Sequence, residues 1–511
     1  MKQRFDQESV ERFAKLVGEK FGLYFEESKC GFLSEVLANR LEGTGLPLEI
    51  YLARLGACDP MSDVELRALA EELTVSETYF FRNSDQFRAL VETVLPERIR
   101  VRSGQRTLRI LSAGCSSGEE PYSIAILIRD HFPELLDWEL SIQALDLNPR
   151  SIERARKGRY SAWSLRETPA GIRSKWFHPE GRDFVLADEI RAMVAFQERN
   201  LSLESPPLGL PDSLDVVFCR NVIMYFLPHR AQRFIQRVTT ALVPDGYLFL
   251  GHAETLRGLS HDFHLRHTHG TFYYQRKEAG EEISRPLPSL ESLPLSSGFS
   301  GVVLSDDVSW VEAIQKASQR IETLAASRSV VGQPAARAAP PAPDTGNLVR
   351  AFEFLQNERY GEALACVDAA PPSEPRDTET LLLRAVLLVH GGNLKEAQET
   401  CEKLLKADEL NAGAHYVMAL CREGLEDYEG ATEHDQIAGY LDSAFAMPRL
   451  HLGLLARRRG DPEAARREFD SALLLLERED PSRILLFGGG FGREALTGLC
   501  RAELAAVGEK R

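Results

Sequence analysis

Tyr360, Leu394, Tyr428 and Pro462 stand 34 residues apart, and Ala363, Ala397, Ala431 and Ala465 keep the same step in phase with them. On the intervening stretches Leu382, Tyr416 and Leu450 repeat at that interval, as do Ala385, Ala419 and Gly453. A period of about 34 residues with small residues at two fixed positions is what a stack of helix pairs demands, because only a small side chain lets neighbouring helices touch. The last third of the chain is therefore confined to an all-α solenoid of about three to four units. Its first unit is partial: the leading helix is weakly marked, and Pro371-Pro372 breaks the segment that follows. Leu486-Phe487-Gly488-Gly489-Gly490-Phe491-Gly492 has no strand before it and reads as a turn ahead of a capping helix rather than a ligand loop. Helices stacked to bury one another still leave a concave face for a partner.

The solenoid accounts for only part of 511 residues, and domains of roughly 100–200 residues imply about three units in all. A second strong signal lies near residue 110. The apolar run Leu108-Arg109-Ile110-Leu111-Ser112-Ala113 ends on Gly114 and Gly118, which bracket three small residues. Glu119-Glu120-Pro121 follows, and acids with a proline suit the first turn of a helix. The stretch is strand, tight turn, helix. Two glycines let backbone approach a ligand closely, but the spacing is not that of the dinucleotide fingerprint and no Lys follows as in a phosphate-binding loop.

Taken in order, residues 5–82 show apolar steps of three and four, as in Phe13, Val17 and Phe21, then Phe32, Val36, Leu37 and Leu41, then Leu66, Leu69 and Leu73. This predicts a helical bundle over 1–85. It closes on Thr78-Tyr79-Phe80-Phe81-Arg82, which by itself reads as a cap followed by core aromatics. Strands are expected at Thr107–Ser112, Leu140–Leu145, Met193–Phe196, Leu214–Cys219 and Tyr247–Leu250, with helices near Tyr122–Phe132, Pro149–Lys157 and His229–Leu242. That alternation predicts an α/β, doubly wound parallel sheet over 86–277, interrupted by an insertion at about 160–190 and closed by a hairpin about Gly270. Residues 278–344 are biased to Pro, Ala and Ser and read as a linker, with one helical segment near Trp310–Ile321. The repeats then occupy 345–511.

A formal net charge of −15 argues against a nucleic-acid partner held by phosphate neutralisation. Eight scattered cysteines without C-x-x-C or His/Cys metal spacing suggest a reducing compartment and no metal. No run of about 18 apolar residues is present, so a cytoplasmic protein without membrane insertion is expected. At the carboxyl ends of the predicted strands, where open α/β sheets bind ligands, stand Gly114 and Glu119, then Asp146, then Asn200, then Arg220-Asn221. An acid at the end of the second strand is the usual acceptor for ribose hydroxyls.

These residues resemble the chemoreceptor methyltransferases of bacterial chemotaxis, the CheR type, from the N-terminus to about Lys277. The resemblance rests on Thr78-Tyr79-Phe80-Phe81-Arg82, Ser116-Ser117-Gly118-Glu119-Glu120-Pro121-Tyr122-Ser123, Ala144-Leu145-Asp146-Leu147-Asn148, Phe218-Cys219-Arg220-Asn221-Val222-Ile223-Met224-Tyr225-Phe226 and Gly251-His252-Ala253-Glu254. It implies an S-adenosylmethionine-dependent methyltransferase of class I fold, with S-adenosylhomocysteine as product, forming methyl esters on glutamates of a methyl-accepting chemotaxis receptor. It also implies that Ser76, Thr78, Arg82, Gly114, Glu119, Asp146, Asn200, Leu201, Arg220 and Asn221 surround the cofactor, and that Arg82 and Tyr225 flank the methyl-transfer site. Ser76 stands where the family often has asparagine. In some members the sheet's insertion grips a receptor-tail peptide through an extra glycine-containing turn. Trp176-Phe177-His178-Pro179-Glu180-Gly181-Arg182-Asp183-Phe184 is short and lacks it, so no tether is expected here. The family's basic helix facing acidic receptor coils is reduced to Lys29, Arg40 and their neighbours.

A glutamate with a pKa of about 4.3 is ionised at neutral pH, so its methylation needs no general base. It needs the carboxylate held in line with the methyl group and water kept away. An arginine fork and a tyrosine suffice for that, which explains a site without catalytic His, Cys or metal. The 34-residue repeats match the tetratricopeptide period and would select an unknown protein partner or regulate access. The alternative expectation is a catalytically weak signalling scaffold that binds S-adenosylmethionine and acts through its repeats.

Overall fold

Apolar strands alternating with helices close into one seven-stranded sheet in the computed structural model, which describes residues 5–26, 29–57, 60–74, 77–203, 206–278, 350–351, 353–355, 359–369 and 378–509. Ser76, the 278–344 linker beyond its first residue, the helix expected near Trp310–Ile321 and Pro371-Pro372 lie outside the described residues. The chain divides into two compact units, Met1–Glu281 and Glu282–Arg511.

The first unit begins with four helices, α1 (Gln7–Phe21), α2 (Cys30–Thr44), α3 (Leu48–Gly56) and α4 (Pro60–Leu73). Asp6 caps α1 by accepting from the Ser9 N–H, and Gly22 ends it in the left-handed conformation. Phe13, Val17, Phe21, Val36, Leu37 and Leu41 are buried, as their spacing predicts, and Leu33 is buried beside them. Phe32 departs from the pattern: it is 39% exposed and pairs with Phe25. Helix stops at Leu73, and residues 77–83 form an irregular segment whose Phe80 is buried edge-on against Tyr160 and Phe177. Helices α5 (Ser84–Ala89) and α6 (Leu95–Arg102) then lead into the sheet through one π-helical turn, Leu90–Val94.

The large sheet contains β1 (Thr107–Ala113), β2 (Glu139–Asp146), β6 (Val194–Glu198), β7 (Leu214–Cys219), β8 (Leu242–Leu250), β9 (Phe263–Thr268) and β10 (Thr271–Arg276). Their order is β6-β2-β1-β7-β8-β10-β9. The first five are parallel, and β10 runs antiparallel to both β8 and β9. Helices α7 (Glu119–His131), α8 (Pro149–Lys157) and α11 (Pro228–Ala241) connect parallel strands, and β7 is buried along its whole length, as a strand covered on both faces must be. Strand β8 starts five residues before the expected Tyr247, because Pro244-Asp245-Gly246, which reads as a turn, is absorbed as a bulge with Asp245 at φ 59°. His269 and Gly270, both at positive φ, make the two-residue turn of the closing hairpin. At the amino ends of the strands, Asp215 is buried with Arg98 at 3.0 Å and Arg102 at 2.7 Å.

Where the sheet's rhythm breaks, β3 (Arg159–Ser161), β4 (Phe177–Glu180) and β5 (Asp183–Leu186) form a second antiparallel sheet in the order β3-β5-β4, with α9 (Ala170–Trp176) inside it and α10 (Asp188–Arg191) after it. Only Gly181-Arg182 joins β4 to β5.

In the second unit, α12 (Tyr360–Asp368), α14 (Leu394–Ala407), α16 (Tyr428–Leu441) and α18 (Pro462–Leu476) begin on the four repeat positions. Their partners α13 (Thr378–His390), α15 (Ala412–Gly424) and α17 (Ala446–Arg458) keep the same interval. Every repeat alanine is fully buried, and a Cβ on Gly453 would come within 2.6 Å of the Phe469 ring. The period is thus a packing constraint: α17 and α18 can approach only because position 453 is bare. After α18, the short helix α19 (Pro481–Phe487) precedes a glycine turn and α20 (Arg493–Glu509), which packs on α18. Among the described residues no helix is long and apolar enough to cross a membrane.

Candidate active site

The order of the large sheet reverses at β1, whose neighbours are β2 and β7, and this is where a crevice opens at the strands' carboxyl ends. A cavity of about 620 Å³ lies there. Gly114, Ser116, Asp146, Asn200, Leu201, Asn221, Val222 and Tyr225 line it from the sheet side, and Phe21, Leu23, Tyr24, Phe25 and Phe32 from the N-terminal helices.

The turn after β1 is built on its glycines. Gly114 sits at φ 81°, and a Cβ there would lie 2.2 Å from Val222 Cγ2. Gly118 sits at φ 92° and would meet Ala155 Cβ at 2.9 Å. Both positions require glycine for conformation and for space. The N–H groups of Gly114 and Cys115 donate to the Leu145 carbonyl at 2.7 and 3.0 Å, which splices the turn onto the end of β2. Asp146 completes the splice: Oδ2 accepts from the Ser116 N–H at 2.7 Å and Oδ1 from the Asn148 N–H at 2.8 Å. Burial holds its carboxyl above the usual range, against the pull of those backbone donors. Each Asp146 oxygen accepts one of these bonds, and a carboxylate oxygen has room for another.

On the other side, Asn221, two residues past the end of β7, sits at φ 58°. The loop it begins is gripped by Glu254, a buried carboxylate that accepts from the N–H groups of Asn221 (2.6 Å), Val222 (2.8 Å), Met224 (3.3 Å) and Gly251 (2.8 Å). This loop presents Tyr225, which is 43% exposed. It is also the seam with the N-terminal segment: the Tyr24 N–H donates to the Tyr225 carbonyl at 2.8 Å, the Leu227 N–H to the Gly22 carbonyl at 2.9 Å, and Leu23 bridges to Phe226. Asn200 adds a further tie by donating from Nδ2 to the Lys20 carbonyl at 3.1 Å, and Ser202 Oγ donates to the Phe21 carbonyl at 2.6 Å.

Beside the cavity is a buried charge cluster. Arg220 pairs with Glu120 at 2.8 Å and donates to the Arg82 carbonyl at 2.7 Å and to Gln86 Oε1 at 3.0 Å. Ser112 Oγ donates to Glu120 at 2.7 Å. Burial pushes the Glu120 carboxyl up and pulls the Arg220 guanidinium down, and their mutual attraction opposes both shifts. The Arg82 guanidinium acts on the same pair and lies 5.8 Å from the Tyr79 ring. Glu119 is buried at the start of α7, raised by desolvation, with Ser117 Oγ donating to it at 2.8 Å.

Of the residues singled out in the sequence, Gly114, Asp146, Asn200, Leu201, Asn221 and Tyr225 meet around one cavity. Arg220 and Glu119 are buried, and the Arg220 side chain is engaged by protein groups. Thr78 and Arg82 are half-buried in the irregular segment 77–83, with Arg82 belonging to the charge cluster rather than to the cavity wall. Arg40, expected on a basic receptor-facing helix, is instead held by Glu65 at 2.7 Å and Glu72 at 3.2 Å. The sequence assigns no place in the site to Glu254, Glu120 or Gln86. The Gly-His-Ala-Glu run contains the first, but nothing in a sequence says that four N–H groups converge on it.

A bare glycine cradle, an acid at the end of β2 and an apolar-walled cavity fit S-adenosylmethionine, whose adenosine needs a hydroxyl acceptor and a flat apolar seat. The profile described as CheR methyltransferase, SAM binding domain, matches residues 76–272. The chain is 37% identical over 270 residues to Chemotaxis protein methyltransferase 2 of Vibrio cholerae, spanning 52% of this chain and 91% of that protein. It is 33% identical over 242 residues to the Probable chemotaxis protein methyltransferase of Rhizobium etli, spanning 46% and 88%. Against the Probable biofilm formation methyltransferase WspC of Pseudomonas aeruginosa it is 28% identical over 458 residues, 89% of this chain and 96% of that one. Fold and site define a class I methyltransferase that uses S-adenosylmethionine. Within that class the chain belongs to the CheR methyltransferase family, here with tetratricopeptide repeats at its C-terminal end.

Proposed function

We propose that this protein esterifies glutamate side chains in the cytoplasmic regions of bacterial chemoreceptors, and that its tetratricopeptide unit selects a partner or regulates access. The observation that carries this is the cavity itself: its wall joins the Gly114 turn and Asp146 to Tyr225 and the rings of Phe21, Tyr24 and Phe25, and a glutamate already ionised at neutral pH needs no general base. The cofactor supplies an electrophilic sulfonium methyl. Gly114, Asp146, Asn200, Leu201 and Asn221 would hold it along the strand ends, with Ser76, Thr78, Arg82, Glu119 and Arg220 around them. Asp146 orients by accepting hydroxyls, while Phe21, Phe25 and Phe32 keep water from the reacting atoms. Arg82 directs its guanidinium to a carboxylate. Tyr225, on the loop that Glu254 fixes, positions the incoming glutamate.

Outside the site, Arg166 lies between aromatic rings, 3.7 Å from the centroid of Tyr79 and 4.3 Å from that of Trp163, which is 66% exposed. This cationic, aromatic ladder suits an acidic receptor helix. The two-residue Gly181-Arg182 turn supports docking without a tethered receptor tail.

The test is incubation of the full chain with methyl-labelled cofactor and purified receptor cytoplasmic regions. Base-labile label on receptor glutamates, lost when those glutamates are replaced by alanine, is the expected result. A chain that binds the cofactor but labels only other acceptors would overturn the receptor assignment. Measurable affinity for a receptor-tail pentapeptide would overturn the untethered mode.

A further inference from the structure

The helix pairs of the second unit stack on their sequence neighbours, with one exception. Helix α19 begins at Pro481, after Asp480, which continues the 378, 412, 446 series of first-helix starts. It does not continue the stack; α20 takes the place against α18. Instead α19 lies back across the first helices of the three preceding pairs. The Phe487 ring is 5.0 Å from Phe445 at the start of α17 and 5.9 Å from Tyr416 of α15, and it occupies the space beside Gly413, where a Cβ would be 2.8 Å from its Cζ. Leu485 and Leu486 pack on the buried cluster of α12 and α13 that contains Tyr360, Leu383 and Leu387. Arg483 pairs with Asp442 at 3.1 Å and stacks on Phe445 at 4.3 Å. The chain then leaves through Gly489 and Gly490, both at positive φ.

The face that the repeats leave open is therefore filled by this chain's own residues. The occupant is a single short helix, too brief to be helical alone, with Leu485 and Leu486 only half-buried and a glycine turn on one side. Such an element has the properties of a seated ligand rather than of a framework helix. We propose that α19 is an intramolecular occupant of the tetratricopeptide face, exchanged for a partner segment of the same chemistry: a basic residue, then aliphatic residues, then an aromatic one. The seat defines that order. Asp442 takes the cation, the α12 and α13 cluster takes the aliphatics, and the bare edge at Gly413 takes the ring. The inference deepens the partner-selecting role proposed above, stands on the second unit alone, and is independent of the methyl acceptor.

The probe is a fluorescent synthetic peptide of residues 479–491 titrated into the full-length protein by polarisation. Leu485→Ser with Leu486→Ser, which unseats α19 without opening the core around Tyr416, should raise the apparent affinity for the peptide at least tenfold. Adding Gly413→Val to that variant should remove the gain. Equal affinities for wild type and the double variant, with both folded by circular dichroism, would overturn the proposal. Hydrogen exchange on the unmodified protein keeps it testable if the variant unfolds. Amides of residues 483–487 should exchange at least a hundredfold faster than those of α15. Equal protection would make α19 part of the framework and reject the idea.

Discussion

Glu254 places one carboxylate among four backbone N–H groups, so the whole Asn221–Tyr225 loop depends on a side chain that does not line the cavity. Glu254→Gln keeps the shape but replaces one acceptor oxygen by a donor, leaving buried N–H groups unpaired at about 1–3 kcal/mol each. Calorimetric titration of S-adenosylmethionine should show at least about a tenfold weaker binding. Asp146→Ala removes the splice between β1 and β2 together with the hydroxyl acceptor, and should abolish measurable binding in the same titration. A different residue contributes to the pH response of the second unit above neutrality. His451 is buried with Nδ1 2.7 Å from Asp435 and Nε2 3.1 Å from Glu423. Burial alone would lower its pKa, but the two carboxylates outweigh it and raise it to about 10. A raised folded-state pKa gives stability that is complete below the ordinary histidine value of about 6.5 and is lost as pH rises toward 10. Thermal melts followed at pH 7, 8.5 and 10 should show the tetratricopeptide transition falling, and His451→Leu should flatten that trend.

Among the elements, the turn between β1 and α7 was the most legible, because glycine at 114 and 118 answers to local demands of φ and space. Gly114→Ala should cost about 1–3 kcal/mol in a denaturant melt, from a left-handed Cβ driven against Val222, and should weaken cofactor binding in proportion. The repeat helices were equally legible, since Ala363 and its equivalents report packing directly. The start of β8 at Leu242 is not legible in the sequence, since Pro244-Asp245-Gly246 carries turn chemistry and only pairing with β7 reveals it as a bulge. Phe32 follows a helical core spacing but faces the cavity, a distinction of direction that periodicity does not contain. The grip of Arg40 by Glu65 and Glu72, and the charge cluster of Glu120, Arg220 and Gln86, join residues far apart in sequence and were invisible there. The same holds for Asp215, which anchors α6 to the sheet. Asp215→Ala leaves Arg98 buried without its partner and should destabilise the first unit by about 3–5 kcal/mol by chemical denaturation.

At the scale of the molecule, two compact units with separate buried cores lead us to expect two unfolding transitions rather than one. Cofactor at about a hundred times its dissociation constant should raise only the first, by about 2.7 kcal/mol, in differential scanning calorimetry. A single coincident transition shifted as a whole would show the units to be thermodynamically one. The net charge of −15 belongs to this scale too, as a reason for solubility and for the aromatic ladder at Arg166 to stand out locally. The placement of α19 also constrains how the array can change length. Solenoids in general tolerate duplication or loss of a repeat, because each unit meets only its neighbours. Here one helix touches α12, α13, α15 and the start of α17 at once, so inserting or deleting one 34-residue unit between them would carry Phe487 off its seat at Gly413. The C-terminal segment acts as a ruler that counts repeats, and the number of units becomes a fitted dimension of this protein rather than a free one.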